Sequence, residues 1–142
     1  MDAITFSRMK AIDLNCSYLG LSPLQLMENA GAGIAREIIS RLDSGTALFI
    51  AGRGNNGGDA FVAARHLAIK EGYRVKVVLL GRSSQIRTEE SQANFSLLSH
   101  SAISETREVS DSSELKAYKG WAEADIIVDA VLGSGIKGSI RE

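Results

Sequence analysis

Apolar side chains in the first part of the chain recur at helical spacing and predict two helices. In residues 5–19 they fall at roughly every third or fourth position. The segment 22–42 opens with Ser22, Pro23 and Gln25, which are typical of an N-cap, a first helical position and a capping box. Two helices therefore precede the first strand, where they would cover a sheet face or form an oligomer contact.

From residue 46 onward, apolar runs that predict strands alternate with segments of helical spacing. The predicted strands are 46–52, 73–81, 106–110 and 125–133, and the predicted helices are 59–71, 88–101 and 112–124. This alternation is typical of the α/β class, with a doubly wound, mainly parallel sheet and helices on both faces. Because a helix to cover the last strand is missing, we expect either that residues 1–142 are the N-terminal part of a longer domain or that another chain covers the edge of the sheet.

Composition narrows the function classes. The chain has 142 residues, enough for one core, and its net charge of −1 gives no reason to expect nucleic-acid or anionic membrane partners. The only cysteine, Cys16, excludes an internal disulfide, and we interpret it as a small buried hydrophobe. No signal peptide or membrane-spanning run is evident, so a cytoplasmic location is expected.

The glycine-rich stretch GRGNNGGD, residues 52–59, lies between a predicted strand and a predicted helix. Ligands of parallel α/β sheets collect at such carboxyl ends of strands. Glycines let successive backbone N–H groups face one concavity, and the following helix dipole favours an anion. A tight turn without a ligand is the alternative, but four glycines and two asparagines at this position favour a binding site.

The glycine pattern does not by itself decide which class of ligand binds. Gly52, Gly54 and Gly57 match the dinucleotide fingerprint G-x-G-x-x-G, yet the acidic residue expected after the second strand is replaced by Arg82. An arginine there could accept a 2′-phosphate, so an NADP-dependent oxidoreductase remains an alternative. A P-loop is excluded, because no Lys-Ser or Lys-Thr pair follows the glycines.

Acid and amide groups in the stretch point away from a simple phosphate cradle. Asp59 would repel a phosphate lying on the helix terminus, although a helix cap is the simpler explanation of this residue alone. Asn55 and Asn56 supply carbonyl oxygens, which are acceptors and ligands of hard cations. Together they suggest a site for hydroxyl or amide groups, with a metal cation balancing the charge.

A second constellation follows the last predicted strand. Asp129 lies near the carboxyl end of an apolar strand, where a buried carboxylate needs a partner or a cation. Gly133, Gly135 and Gly138 make a second flexible loop that contains Lys137. Two such loops at strand ends of one sheet can converge on a single cleft.

Three motifs in order, LMENAG (26–31), GRGNNGGDAFVAARHL (52–67) and DIIVDAVLGSGIKGSIRE (125–142), resemble the NAD(P)H-hydrate epimerase family, the YjeF N-terminal domain. The resemblance extends from the first helices to the end of the sequence. It implies a Rossmann-like domain that interconverts the R and S epimers of NADHX and NADPHX, the hydrated forms of the reduced nicotinamide cofactors, with a potassium ion in the site.

The resemblance also implies roles for individual positions. Asn56 and Asp129 would ligate potassium. Apart from the resemblance, Asp129 and Lys137 are the titratable residues in the second constellation and are therefore the candidates for acid–base catalysis. The substrate would contact two groups of residues, which are Asn55, Asn56, Gly57, Gly58 and Asp59, and Gly133, Ser134, Gly135, Ile136, Lys137, Gly138 and Ser139.

The sequence departs from the family pattern in two places. Ala60 stands where the family usually has a further glycine. The family also continues beyond Glu142, with another substrate-binding aspartate and a serine ligand of potassium, so residues 1–142 would hold half of the cation site. A homo-oligomer is expected.

Two other functions remain as alternatives. One is a nucleotide-binding or adaptor domain without turnover. The other is the NADP-dependent oxidoreductase, which ranks last because the chain has no Tyr-Lys or His arrangement suited to hydride transfer.

Overall fold

The computed structural model describes residues 4–133, and residues 1–3 and 134–142 lie outside this range. The helices are α1 (Phe6–Tyr18), α2 (Pro23–Arg41), α3 (Asn55–Ala68), α4 (Glu89–Leu98) and α5 (Ser112–Ala117). The strands are β1 (Gly45–Ala51), β2 (Tyr73–Leu80), β3 (Glu105–Val109) and β4 (Ile126–Ala130). Short 3₁₀ turns cover Ser83–Gln85 and Lys119–Glu123.

The four strands form one parallel sheet in the order β3-β2-β1-β4. The chain proceeds outward from β1 through β2 to β3 and then returns to the other side of β1. In such sheets the crevice at the carboxyl ends of the strands, where the strand order reverses, is the usual place for a ligand. Here that crevice lies between the ends of β1 and β4.

Helices cover both faces of the sheet, which confirms the predicted α/β architecture. On one face, α3 packs on β1 and β2, with α2 and α4 against it. The opposite face carries a smaller cluster of buried apolar residues. It is covered by α5 and the turn at Lys119–Glu123, and Tyr118 is buried there. Because β1 and β2 are covered on both sides, their central residues are buried, and apart from Thr46 and Lys76 they are apolar.

The edge strand β4 is less covered than its sequence suggests. Among the described residues it pairs with β1 alone, and every second residue of β4 is exposed. Ile127 retains 50% of its accessible surface. The apolar run 125–133 therefore does not make a strand that is buried on both faces.

The predicted helix starts agree with the structure where a side chain caps the helix. Ser22 accepts a hydrogen bond from the Gln25 backbone N–H at 3.2 Å, and the Gln25 side chain accepts one from the Ser22 N–H at 2.8 Å. Thr88 caps α4 as predicted. The segment 112–124 is divided, because Tyr118 leaves the helical conformation and its ring packs over Gly120.

A polar cluster joins the helices on the larger face of the sheet. Glu28 of α2 accepts a hydrogen bond from Arg65 of α3 at 2.6 Å and contacts His66 of α3 at 2.6 Å. Arg65 also donates to Asn94 of α4 at 3.0 Å. The LMENAG motif, which includes Glu28, therefore helps to hold the helix on which the glycine-rich stretch continues.

The N-terminal helix α1 packs lightly on α2. Cys16 is partly exposed, so the prediction that it is buried is wrong. The apolar side chains of Ile4, Met9 and Ile12 are exposed as well. Across residues 4–133, no helix combines the length and apolar character that a membrane crossing requires.

Candidate functional site

The glycine-rich stretch makes a tight connection at the carboxyl end of β1, an inner strand of the sheet. Gly52 donates its N–H to the Ala130 carbonyl at 3.0 Å, which extends the pairing of β1 with β4 into the loop. A Cβ at Gly52 would overlap the carbonyl oxygen of Val131, and a Cβ at Gly57 would overlap that of Gly52. Residues 52–58 adopt no left-handed backbone. Close approach of the backbone, rather than positive φ, is thus the reason for these glycines.

Helix α3 begins at Asn55, four residues before the predicted start at Asp59. The prediction was wrong because glycines and asparagines are typical of loops, whereas here they form the first helical turn. Gly54 is the N-cap and makes no side-chain bond. The interpretation of Asp59 as a helix cap is therefore also wrong, since Asp59 lies in the second turn.

Asn56 connects the two loops that the sequence predicted to converge. Its side-chain Nδ2 donates to the carbonyl oxygen of Leu132 at 3.1 Å. A Cβ built on Gly133 would lie 3.2 Å from the Asn56 Cβ, so the loop after β4 passes directly over this side chain. The bond through Nδ2 leaves the Asn56 Oδ1 atom as the acceptor that the amide can offer to a ligand.

Asn55 and Gly58 are fixed by contacts with α4 and α2. The Asn55 Oδ1 atom accepts a hydrogen bond from the Thr88 hydroxyl at 2.7 Å, and the Asn55 side chain is exposed. Gly58 is buried, and a Cβ there would meet Met27 and the Ser91 hydroxyl. Gly58 therefore allows close helix packing, whereas Asn55 presents a polar group at the surface of the site.

Asp59 is partly buried and has an unusual titration. Burial raises its pKa to about 6, and the negative charge of Asp13 on α1 adds to this effect. A carboxyl group with a pKa near neutrality can both give and take a proton under ordinary conditions. Helix α1 thus contributes electrostatically to the site even though its packing is light.

We expect the raised pKa of Asp59 to appear as a pH dependence of stability. The folded state binds this proton more tightly than the unfolded chain, so its stability falls as pH rises from about 4 to about 6. Asp59→Asn should therefore be more stable than the wild type by about 1–3 kcal/mol at pH 7, but not at pH 4. Urea unfolding at both pH values measures this difference.

Two variants sharpen this test. Asp13→Asn should move the pKa of Asp59 down toward its ordinary value, which NMR titration of the carboxyl carbon detects. Asp43→Asn, at an exposed carboxylate after α2, is the control substitution. A stability difference for Asp59→Asn that is equal at pH 4 and pH 7 would contradict the assignment.

Asp129 lies one residue before the end of β4 and is exposed, so the prediction that it is buried is wrong. The physical reason is the edge position of β4. Its Oδ1 atom accepts the Val131 N–H at 3.0 Å. The register pairs Asp129 with Ile50, so the carboxylate lies on the sheet face opposite α3.

The structure brings some of the predicted site residues together and leaves others apart. Asn56 meets Leu132 and Gly133, whereas no hydrogen bond joins it to Asp129 within the described part of the chain. Among residues 4–133, His, Cys, Asp and Glu side chains form no cluster of three that could hold a metal ion. Six predicted substrate-loop residues lie outside the described residues, namely Ser134, Gly135, Ile136, Lys137, Gly138 and Ser139.

A cavity of about 550 Å³ also opens at the carboxyl ends of the strands, beyond β2 and β3. Its lining includes Arg53 from the glycine-rich stretch, Arg82 after β2, and Ser110 and Asp111 after β3. Arg82 was predicted from the sequence as a candidate ligand of a 2′-phosphate, whereas Arg53 was not predicted as a site residue. The position of Arg53 between Gly52 and Gly54 was the available signal.

Comparison with known proteins decides the family. A model of the family described as YjeF-related protein N-terminus matches residues 23–142. The chain belongs to this YjeF-related family. The match contains all three motifs on which the resemblance was based, and the parallel sheet with its glycine-rich turn agrees with the Rossmann-like fold that the resemblance implied.

Relatives in the YjeF-related family carry two kinds of name. The chain is 46% identical over 138 residues to the bifunctional NAD(P)H-hydrate repair enzyme Nnr of Methanothermobacter thermautotrophicus, covering 94% of this chain and 26% of that protein. It is 44% identical over 140 residues to the NAD(P)H-hydrate epimerase of Cenarchaeum symbiosum, and the match covers 98% of this chain and 62% of that protein. It is 39% identical over 149 residues to the NAD(P)H-hydrate epimerase of Nitrosopumilus maritimus, and the match covers 98% of this chain and 63% of that protein.

The chain thus spans about a quarter of the length of the bifunctional relative and about three-fifths of the length of the two epimerases. Its similarity covers the glycine-rich stretch, Asn56 and β4, which form the crevice described above.

Proposed function

We propose that the protein interconverts the R and S epimers of hydrated NADH and NADPH. The observation that carries this proposal is the contact of Asn56 with Leu132, which joins the turns after β1 and β4 at the crevice of the sheet. Relatives that are 39–44% identical over nearly the whole chain are named NAD(P)H-hydrate epimerase. The crevice supports a ligand site at the strand ends, and the names of the relatives support the epimerase activity.

In this proposal, the hydrated nicotinamide end of the substrate lies over the junction of the two turns. Asn55, Asn56 and Asp59 contact it with polar side chains, and we propose that Gly57 and Gly58 contact it through the backbone of the first turn of α3. Gly133 passes over Asn56, and we propose that it and residues 134–139 also contact the substrate. Amide and carboxylate oxygens suit this substrate because its distinguishing group is a hydroxyl, which donates a hydrogen bond.

Epimerisation requires inversion of one ring carbon next to the ring nitrogen. An acid protonates the hydroxyl, the carbon–oxygen bond breaks as water leaves, and the nitrogen lone pair stabilises the cationic ring. Water then adds to the opposite face and a base takes its proton, so atoms and charge balance. We propose Asp129 and Lys137 for these proton transfers. The raised pKa of Asp59 makes it a third candidate.

A potassium ion fits the donor chemistry of this crevice. The Oδ1 atom of Asn56 and the carboxylate of Asp129 are hard oxygen donors, and we propose that they hold the ion. When bound, potassium would offset the negative charge of Asp129 and of the substrate phosphates. The chain's own residues would orient the hydroxyl and move the protons.

The test is turnover by the full-length protein. Purified R-NADPHX is incubated with the protein, and the R/S ratio is followed by chromatography beside a protein-free control. Epimerisation predicts that the mixture reaches equilibrium many times faster with protein. Binding without a change in the rate would favour an adaptor domain, and oxidation of undamaged NADPH would favour the oxidoreductase.

We further propose a cytoplasmic location and a homo-oligomer. The exposed apolar side chains of Ile4, which precedes α1, and of Met9 and Ile12 on α1 support the second point, since they are available for a contact between copies.

A further inference from the structure

The cavity beyond β2 and β3 is built from three separate segments of the chain. Arg53 comes from the turn after β1, Gly81 and Arg82 from the turn after β2, and Ser110 and Asp111 from the turn after β3. Its volume of about 550 Å³ is within the range of small-molecule sites. Nothing in the proposed epimerisation chemistry uses these residues.

Hydrogen bonds to Gln85 fix the side chain of Arg53 and the backbone of Arg82 at this cavity. The Arg53 Nη1 atom donates to the Gln85 Oε1 atom at 3.1 Å, and the same oxygen accepts the backbone N–H of Arg82 at 3.2 Å. The Arg53 side chain also crosses Gly81, where an added Cβ would lie 2.7 Å from the Arg53 Cδ. Gly81 has φ of +116°, so glycine is required there for two reasons.

The charges of the cavity favour an anion. Arg53 and Arg82 supply two permanent positive charges, and guanidinium groups bind phosphate oxygens in pairs. One carboxylate, that of Asp111, opposes them. Its Oδ1 atom is already bound by the N–H groups of Ser113 and Glu114, at 2.7 Å and 3.1 Å, as the cap of α5.

The cavity and the crevice both lie at the carboxyl ends of the parallel strands, on the same side of the molecule. Arg53 lies between Gly52 and Gly54, and its carbonyl accepts the Arg87 N–H at 2.9 Å, which ties the turns after β1 and β2 together. The crevice between β4 and β1 is two strand spacings, about 10 Å, from the gap between β2 and β3. A molecule with two nucleoside halves can therefore occupy both.

We propose that this cavity binds the adenosine half of the substrate, with Arg82 and Arg53 holding its 2′-phosphate, so that the protein prefers NADPHX to NADHX. An arginine after the second strand of a dinucleotide-binding sheet is suitably placed for this phosphate. The inference rests on the proposed function where it takes the other half of the ligand to be the hydrated nicotinamide. Recognition of the 2′-phosphate by the two arginines does not depend on that function.

The experiment measures binding of two probes to the full-length protein by isothermal titration calorimetry. The probes are ADP-ribose and its 2′-phosphorylated form, neither of which can be epimerised at a nicotinamide. The wild type should bind the phosphorylated probe at least about 10-fold more tightly, because hydrogen bonds to charged groups are involved. Arg82→Ala should remove most of that preference and change ADP-ribose binding less than about 3-fold.

Arg53→Ala should reduce the same preference, and Arg87→Ala is the matched control, because the exposed Arg87 contacts this region through its backbone N–H. Thermal unfolding verifies that each variant folds. Equal affinity of the wild type for both probes, no binding of either, or an equal loss for both in Arg82→Ala would overturn the inference.

Failure of the inference is distinguishable from failure of the proposed function. Turnover of NADPHX without preference for the phosphorylated probe defeats only the phosphate site. Preference for that probe without any change in the R/S ratio defeats only the epimerase.

Discussion

Replacing Asp129 with alanine in the full-length protein is expected to abolish epimerisation and to leave folding intact. The proposed roles of this carboxylate in proton transfer and in holding potassium both disappear with it, and loss of acid–base catalysis alone lowers kcat/KM by about 10²–10⁴-fold. Asp129 is exposed at the end of an edge strand, so the free energy of unfolding should change by less than about 0.5 kcal/mol. The R/S conversion rate and urea unfolding measure the two effects separately.

Asp129→Asn is the sharper variant, since it retains an acceptor for the Val131 N–H and removes only the charge and the proton-transfer capacity. It should be nearly as inactive as the alanine variant. Glu108→Ala, at an exposed carboxylate on the opposite edge strand β3, is the matched control and should retain full activity. Unchanged turnover in Asp129→Asn would remove Asp129 from the site.

Gly57→Ala is expected to destabilise the fold and to distort the site together. Its Cβ would overlap the backbone carbonyl oxygen of Gly52, which cannot rotate away as a side chain would. Relieving such an overlap typically costs about 1–3 kcal/mol. The required shift moves the turn that positions Asn56, and a displacement of about 1 Å can lower kcat/KM by roughly 10²-fold.

Gly54→Ala is the control for this substitution, because the added Cβ would meet no atom within 4 Å. Alanine is a poorer N-cap than glycine, so a small loss below about 1 kcal/mol is expected there. The unfolding free energy and the R/S conversion rate of both variants should be compared. Equal effects of the two substitutions would show that the close contact at Gly57 does not hold the turn in place.

Local signals in the sequence were sufficient for much of the fold. The Ser22-Pro23-Gln25 pattern predicted the start of α2 correctly, because a capping box depends only on neighbouring residues. The apolar run 46–52 predicted the buried strand β1 for a similar reason. Gly52 was correctly placed at a strand end, since strand and turn are adjacent in the chain.

The remaining features depend on contacts between distant segments. Asp129 looks buried in its apolar run, and its exposure follows from the strand order, which places β4 at an edge. The contact of Asn55 with Thr88 and that of Arg53 with Gln85 join residues more than thirty positions apart. No local pattern indicates such pairs, so the cavity lined by Arg53 could not be predicted.

The most direct test of the account is a crystal structure of the full-length protein grown with NADPHX and with rubidium in place of potassium. We expect the hydrated ring to lie over the junction of the turns after β1 and β4. We also expect an anomalous rubidium peak that touches both the Asn56 amide oxygen and the Asp129 carboxylate. A substrate bound elsewhere, or a cation peak that contacts neither residue, would contradict it.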